Sequence, residues 1–257
     1  MKIGFAGSGN MAAAMARGWA TSERPPEGML FADSGSGRAE KLAAELAGTA
    51  VSSLRELAGG SDVIVLAVKP TGLGEAAAEL AELRCPIVSV LGATSLEQLR
   101  SAFGDRPVVW TMPTIAVELH CGVICHAPLG QPEAGVGDEI LAAVGQLGTL
   151  VEVEDEMLDA ATAAMGCPPA YFALVVEALA GAAASDGGLD PDLANTLVVE
   201  TLASTAALLR IHSAQEVRNA VASPGGSTEA GLDALEAGDV PQDFADAVHA
   251  SLDRMRG

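Results

Sequence analysis

The sequence predicts an α/β half followed by an all-helical half. In the first half, short apolar runs alternate with stretches of helical periodicity, whereas from Glu154 onward every periodic stretch has the spacing of a helix. The chain has 257 residues, which is long enough for two domains that each bury a core. We therefore predict one domain over residues 1–153 and a second over residues 154–257.

The predicted strands of the first half are unbroken apolar runs. Along the chain we predict strands at residues 2–6, 29–32, 62–68, 86–91, 108–111, 123–126 and 150–153, with helices at 10–20, 38–46, 74–83 and 95–102. Apolar strands that alternate with helices are typical of a doubly wound parallel sheet covered by helices on both faces.

The second half contains helices only. Their predicted limits are 155–165, 169–185, 191–210, 214–220, 228–236 and 241–256. Asp190 followed by Pro191 is a typical helix start, with a capping acid before a proline at the first helical position.

The composition excludes several classes of partner and location. A formal net charge of −20 argues against nucleic acid and against an anionic membrane surface. No uninterrupted apolar run approaches the roughly 18 residues that span a bilayer. Met1 begins a predicted strand, so we expect no signal peptide, and four cysteines without a secretory marker give no reason to expect disulfides. We expect a cytoplasmic protein.

A glycine turn follows the first strand and opens the first helix. Gly7-Ser8-Gly9-Asn10-Met11-Ala12 fits the pattern G-x-G-x-x-[G/A]. The first glycine permits a tight turn, the second allows close approach of a pyrophosphate, and the helix N-terminus supplies N–H donors. Because the pattern stands in a βαβ context, it predicts a Rossmann-type dinucleotide site rather than an ordinary strand-to-helix turn.

The residues after the second strand leave the choice of dinucleotide open. Asp33 stands where an acid accepts hydrogen bonds from the ribose hydroxyls of NADH. Ser34, Ser36 and Arg38 follow at once, and hydroxyls with a guanidinium are suited to the 2′-phosphate of NADPH. After the third strand, Val68-Lys69-Pro70 lies at the carboxyl edge of the sheet, so we place Lys69 near the nicotinamide half.

A second glycine turn, Ser223-Pro224-Gly225-Gly226-Ser227-Thr228, lies near the end of the chain. Its two glycines leave backbone N–H groups accessible, and the following helix adds its positive end. Such a turn can bind a carboxylate without an arginine. The alternative is a serine cap and glycine turn that only joins two helices.

Together the motifs resemble the pyrroline-5-carboxylate reductase family. The matching segments, in the family's order, are Gly7–Ala12, Leu66–Pro70, Met112-Pro113, Pro169–Tyr171 and Ser223–Thr228. The resemblance implies a Rossmann domain, a helical dimerisation domain, a homodimer or higher homo-oligomer, and a substrate site shared between protomers. With NADPH or NADH as cofactor, the expected cofactor-binding residues are Gly7, Ser8, Gly9, Asn10, Met11, Asp33, Ser34, Arg38, Val68, Lys69, Pro70, Met112 and Pro113.

The reaction implied by the resemblance is reduction of a cyclic imine carboxylate, 1-pyrroline-5-carboxylate, to L-proline. The expected substrate-binding residues are Ser223, Gly225, Gly226, Ser227 and Thr228. Thr228 is the expected catalytic residue, because its hydroxyl corresponds to the family's threonine that approaches the ring nitrogen. Hydride transfer then needs orientation more than acid–base groups.

Several segments depart from the family's usual pattern around the substrate. They are Thr114-Ile115 after Met112-Pro113, the run Met165-Gly166-Cys167-Pro168, and Glu229 beside Thr228. Two alternatives therefore stay open: a reductase of a different imine, or a non-catalytic dinucleotide-binding assembly protein derived from the family.

Two other functions are disfavoured by residue type. A β-hydroxyacid dehydrogenase needs a lysine base in its helical domain, but the lysines here are Lys2, Lys41 and Lys69. The stretch His120–His126 holds two histidines and two cysteines, yet strand spacing directs the histidines and the cysteines to opposite faces. One tetrahedral zinc cannot easily take all four, so we predict no metal site.

Overall fold

The computed structural model describes residues 1–130 and 135–256. The chain forms two compact units: Met1–Gly166, together with Met255 and Arg256, and Cys167–Arg254. The first unit includes the helix Leu158–Met165, whose Leu158 and Ala163 are buried. By packing the chain divides after Gly166, and the domain limit at residue 153 stays a prediction.

The first unit is built on one sheet of eight strands in the order β3-β2-β1-β4-β5-β6-β7-β8. The strands are β1 (Lys2–Ala6), β2 (Gly28–Ala32), β3 (Thr49–Ala50), β4 (Val63–Leu66), β5 (Ile87–Ser89), β6 (Val108–Pro113), β7 (Gly122–His126) and β8 (Gly148–Glu152). Its helices are α1 (Asn10–Ala20), α2 (Arg38–Glu45), α3 (Leu54–Gly59), α4 (Leu73–Leu80), α5 (Leu96–Phe103), α6 (Val136–Val144) and α7 (Leu158–Met165). The predicted fold class, a Rossmann-type sheet followed by helices, is confirmed.

One pair of strands corrects the expectation of a wholly parallel sheet. β6 and β7 run antiparallel, with Thr111 opposite His126 and Pro113 opposite Ile124. Only the segment 114–121, with the 3-10 helix Ile115–Leu119, joins them. A parallel crossover takes about a dozen residues or more, so this connection is too short to bring β7 back in the parallel sense.

Both faces of the sheet are covered, as the apolar strands require. Ile3, Phe5 and Val65 belong to one buried cluster, in which the rings of Phe5 and Phe31 stack with centroids 5.1 Å apart. Ile64 and neighbouring residues belong to the cluster on the opposite face. Because side chains alternate along a strand, β1 and β4 supply residues to both clusters.

The second unit consists of helices. They are α8 (Pro168–Ser185), α9 (Pro191–Leu209), α10 (Ala214–Val221), α11 (Ser227–Ala237) and α12 (Val240–Arg256). Asp190 caps α9 by accepting hydrogen bonds from the N–H groups of Asp192 and Leu193, as its position before Pro191 predicted.

Large apolar side chains are exposed along α8 and α9 of a single chain. They include Phe172, Leu174, Leu179, Leu193, Leu197, Leu208 and Leu209. A soluble monomer rarely exposes so many large apolar groups on one pair of helices, so the surface of α8 and α9, called the apolar face below, has the character of an interface.

The stretch Asp155–Ser185 corrects the expectation that no segment is long and apolar enough to span a membrane. It passes by length and composition, with a mean hydropathy of 1.4 over its best window and 6% of that window buried. The stretch is not an uninterrupted apolar run, because it includes charged residues such as Glu177. Core helices of soluble proteins have the same length and composition.

Candidate active site

The first glycine turn is held against the end of β4. Gly7 has a φ of +100°, and a Cβ placed there would lie 2.5 Å from the carbonyl oxygen of Ala67. Its N–H donates to the carbonyl of Ala32 at 2.9 Å. The tight turn predicted for Gly7 therefore has two causes, a left-handed backbone and a close backbone approach.

The turn opens toward free space at its second glycine. A Cβ at Gly9 would have no atom within 4 Å. The first backbone hydrogen bond of α1 runs from Ala13 to Gly9, so the N–H groups of Asn10, Met11 and Ala12 have no acceptor within the described part of the chain. Three N–H groups at the positive end of a helix form a ready site for a phosphate.

Ser8 and Ala12 support the turn from within the fold. The Ser8 hydroxyl is buried and donates to the carbonyl of Ala32 at 3.2 Å. Ala12 is fully buried in the core cluster that covers one sheet face. Its small side chain lets α1 pack closely on the sheet, which is the role predicted for the third position of the motif.

Asp33 turns toward its own loop. One carboxylate oxygen accepts from the N–H groups of Gly35 (2.7 Å) and Ser36 (3.0 Å). The other accepts from the Ser36 hydroxyl (2.8 Å) and from the N–H groups of Arg38 (2.8 Å) and Ala39 (2.9 Å). A carboxylate has about four lone-pair sites, and all of them are used within the loop.

The electrostatics of Asp33 follow from these bonds. Burial acts to raise its pKa, but the hydrogen bonds from Ala39, Ser36, Gly35 and Arg38 outweigh it and lower the pKa to about 2. The carboxylate is therefore charged and caps α2. Sequence reasoning missed this role, although an acid a few residues before a helix is a recognised capping signal.

The remaining residues of the loop face solvent. Ser34, Ser36 and Arg38 are exposed, and the Arg38 side chain forms no ion pair with any residue that the structure describes. The loop thus presents hydroxyls and one guanidinium at the end of β2.

The other predicted cofactor-binding residues stand at the same edge of the sheet. Val68-Lys69-Pro70 follows β4, with Lys69 exposed before the 3-10 helix Pro70–Gly72. Met112 and Pro113 end β6 and are buried, and the Met112 methyl group lies beside the loop position Gly92. Because β1 has β2 on one side and β4 on the other, the edge includes the switch point where ligands bind in doubly wound folds.

The departures at Thr114 and Ile115 lie next to this edge. Thr114 is buried and pairs with β7: its hydroxyl accepts from the N–H of Val123 at 3.0 Å, and its own N–H donates to the Val123 carbonyl at 2.9 Å. Ile115 is 46% exposed. Thr114 thus has a structural role in joining β6 to β7.

The second glycine turn lies in the helical unit. The Gly226 N–H donates to the Ser223 carbonyl at 2.9 Å, with Pro224 at the second position and Gly225 at a φ of +72°. These are the features of a type II turn, which needs glycine at its third position. The glycine turn predicted from the sequence thus has a conformational reason.

The helix that follows the turn begins without a side-chain cap. The first backbone bond of α11 runs from Ala230 to Gly226. Among the described residues, the N–H groups of Ser227, Thr228 and Glu229 find no acceptor, and the half-buried Thr228 hydroxyl is unbonded. The geometry provides donors for an anion and a free hydroxyl next to them.

Glu229 reaches back into the turn. Its carboxylate accepts a hydrogen bond from the N–H of Gly225 at 2.7 Å. Sequence reasoning identified Glu229 only as a departure from the family. An acid at the third position of a helix commonly reaches back to the N–H groups before it, so the contact was open to prediction.

Comparison with known proteins covers both units. Residues 155–257 match the family described as "Pyrroline-5-carboxylate reductase dimerisation". Residues 2–92 match the family described as "NADP oxidoreductase coenzyme F420-dependent". The first match spans the helical unit, and the second spans the glycine turn, Asp33 and Lys69.

Full-length relatives carry a consistent description. The chain is 31% identical to the pyrroline-5-carboxylate reductase of Synechocystis, over 100% of this chain and 97% of that protein. It is 32% identical to the enzyme of the same name from Thermus thermophilus, over 99% and 97% of the two chains.

Solved structures agree in fold over the whole chain. The 1-pyrroline-5-carboxylate reductase of Streptococcus pyogenes superimposes with a TM-score of 0.89 at 26% identity, covering 99% of this chain and 98% of the other. The pyrroline carboxylate reductase of Plasmodium falciparum, solved with NADP bound, gives a TM-score of 0.88 at 25% identity, covering 99% and 97%.

Proposed function

The chain belongs to the pyrroline-5-carboxylate reductase family, and we propose that it reduces 1-pyrroline-5-carboxylate to L-proline with a hydride supplied by NAD(P)H. The observation that carries this proposal is the similarity to reductases of this substrate over the full length of the chain, since it includes both glycine turns. The protein is accordingly an oxidoreductase of proline biosynthesis that acts on a C=N bond.

The residues at the edge of the sheet fit a dinucleotide. We propose that the N–H groups at the start of α1 hold the pyrophosphate, because the space at Gly9 is open and the N–H groups have no acceptor within the described chain. Val68, Lys69, Pro70, Met112 and Pro113 would then line the nicotinamide half.

The loop after β2 favours NADPH over NADH. An acid that binds a ribose accepts hydrogen bonds from its hydroxyls and needs free lone pairs to do so. The lone pairs of Asp33 already accept hydrogen bonds within the loop. Arg38 and Ser34 are exposed and available to a phosphate. We therefore propose that Asp33 shapes the loop and that Arg38 binds the 2′-phosphate.

The second glycine turn would hold the substrate. Its carboxylate would accept hydrogen bonds from N–H groups at the start of α11, and the Thr228 hydroxyl would bond to the imine nitrogen. No charged side chain is required to move a proton during hydride transfer, because a cyclic imine is readily protonated in water. Orientation of the imine carbon is then the main contribution of these residues.

The exposed apolar face of α8 and α9 supports a homodimer. Residues 155–257 match a dimerisation family, so we propose that a second copy of the chain packs against this face. The same burial would cover the apolar stretch Asp155–Ser185 without a membrane. Sharing of the substrate site between protomers, assembly beyond a dimer and cytoplasmic location stay predictions.

Turnover with defined imines tests the proposed function. We expect the purified protein to oxidise NADPH in the presence of 1-pyrroline-5-carboxylate and to form L-proline in equal amount. Turnover with another cyclic imine alone would establish a reductase of a different substrate. Measurable NADPH binding with no turnover of any imine in a panel would contradict an enzymatic role and favour the assembly protein.

A further inference from the structure

The carboxylate of Glu229 lies inside the turn proposed to hold the substrate. Four backbone N–H groups point to this region, those of Gly225, Ser227, Thr228 and Glu229 itself. The Gly225 N–H already donates to Glu229 at 2.7 Å, while the other three have no acceptor in the described chain. The turn therefore contains an anion of its own next to the donors left for a ligand.

Glu229 has no partner cation among the described residues. The side chain is exposed and forms no ion pair with any described residue. On helix α10, the Arg218 guanidinium forms an ion pair with the Glu236 carboxylate, with 2.6 Å between nitrogen and oxygen. A substrate carboxylate that binds at Ser227 and Thr228 consequently lies near the Glu229 carboxylate. Two negative charges that lie close together repel each other, even at an exposed site.

We propose that Glu229 determines substrate specificity by weakening the binding of carboxylate-bearing imines relative to imines without a carboxylate. The inference rests on the proposed function and refines its substrate class to include cyclic imines without a carboxylate, such as 1-pyrroline. Glu229 acts on binding only. Its carboxylate bonds to the backbone N–H of Gly225 at the carboxylate end of the proposed site, so we expect its removal to change KM and not kcat.

The variant Glu229→Gln separates charge from shape. A glutamine amide oxygen can accept the same hydrogen bond from Gly225, so the turn is kept while the negative charge is removed. Asp233→Asn is the matched control, because Asp233 is exposed one helical turn further along α11 and has no hydrogen-bond partner among the described residues.

Steady-state kinetics with saturating NADPH give the first test. In E229Q we expect the KM for 1-pyrroline-5-carboxylate to fall about two- to fivefold, the size of an exposed charge interaction. The KM for 1-pyrroline should not fall, since this imine has no carboxylate to be repelled, both kcat values should stay unchanged, and D233N should match the wild type. High salt should shrink the difference. An unchanged or higher KM for the carboxylate substrate, or an equal change for both imines, would overturn the proposal.

A binding measurement distinguishes this proposal from the proposed function. If neither imine is turned over by any variant, the reductase assignment fails, but acetate binding can still be measured by NMR on full-length protein labelled with [15N]glycine. The Gly225 signal is identified as the one displaced by E229Q. Tighter acetate binding to E229Q than to wild type and D233N supports the role of Glu229. Equal affinity, or no binding to any of them, refutes it.

Discussion

At the residue scale, Thr228 offers the only side-chain hydroxyl that we assign to the imine. It is half-buried and free of partners within the described chain. Thr228→Ala should lower kcat about ten- to a hundredfold, the cost of losing a hydrogen bond to a group that carries charge, while NADPH affinity stays the same. Thr228→Ser should restore most of the turnover. Single-turnover rates and NADPH titration by fluorescence measure the two effects separately. An equal loss of cofactor affinity, with turnover per bound cofactor unchanged, would refute the role.

Arg38 controls the choice of cofactor if it binds the 2′-phosphate. Arg38→Ala should raise the KM for NADPH about ten- to a hundredfold, since charge-assisted hydrogen bonds are lost, and leave the KM for NADH unchanged. Lys41→Ala is the matched control, because Lys41 is an exposed cation on the same helix α2. Melting shifts with 2′,5′-ADP and 5′-AMP provide a readout that requires no turnover. Equal effects of R38A on both cofactors would show that the guanidinium does not discriminate between them.

Asp33 links the same loop to the pH dependence of stability. Its pKa is lowered from 3.8 to about 2 in the folded chain, so the carboxylate stabilises the fold fully above pH 3.8. This contribution is lost as the pH falls toward 2, where the carboxyl becomes protonated in the native state as well. Asp33→Asn should lower the free energy of unfolding by about 1 kcal/mol at neutral pH, the usual cost of a lost helix cap.

The measurement for Asp33 is chemical unfolding of wild type and D33N at a series of pH values. The difference in the free energy of unfolding between wild type and D33N should be constant around neutral pH. It should fall to zero between about pH 4 and pH 2. A gap that persists unchanged at acidic pH would show that the loss arises from side-chain shape and not from the charged carboxylate.

At the element scale, the two glycines of the first turn have different roles: Gly7 is needed for folding and Gly9 for binding. Gly7→Ala places a Cβ 2.5 Å from the Ala67 carbonyl at a φ of +100°, so it should destabilise the unit and abolish dinucleotide binding. Gly9→Ala meets no atom within 4 Å and should keep the wild-type melting temperature while weakening NADPH binding at least tenfold. Thermal denaturation and NADPH titration of the two variants test the distinction. Unchanged NADPH affinity in G9A would place the pyrophosphate elsewhere.

The elements that the sequence predicted are those with a strong local pattern. The long helices α1, α9 and α12 and the apolar strands β1, β4 and β6 were predicted within a few residues. Missed were the short elements β3 (Thr49–Ala50), α3 (Leu54–Gly59) and α6 (Val136–Val144). Elements as short as β3 and α3 span too few residues to show a period, and they form because neighbouring elements pack on them.

The candidate site shows the same contrast: features set by a local sequence pattern were predicted, and features that depend on the folded path of the chain were not. The glycine turns were predictable because φ and close approach constrain residue type at single positions, Gly7 and Gly225. The role of the Asp33 carboxylate was not predicted, because an acid at this position can either cap the next helix or bind a ribose. The path of the loop decides between the two. The contact of Glu229 with Gly225 does have a local signal, an acid at the third position of a helix, although the side-chain rotamer decides whether the hydrogen bond forms.

At the scale of the whole molecule, an acidic chain displays a broad apolar face on its helical unit. The sequence could show that the helices are rich in small and apolar residues, but not which of them remain uncovered after folding. In the structure Leu174 on α8 is 64% exposed, and Phe172 nearby is 52% exposed. Repulsion between copies that each carry a formal charge of −20 must be outweighed by burial of this face for a dimer to form.

Leu174→Glu tests that balance directly. A charge buried without a partner at an interface is strongly unfavourable, so the variant should raise the dimer dissociation constant at least about a hundredfold. Leu119→Glu is the control, because Leu119 is 73% exposed and belongs to the 3-10 helix Ile115–Leu119 of the first unit. Sedimentation velocity at micromolar concentration should show dimers or larger assemblies for wild type and L119E but monomers for L174E. A wild-type monomer would contradict the proposed interface, and it would leave the apolar stretch Asp155–Ser185 in need of another cover.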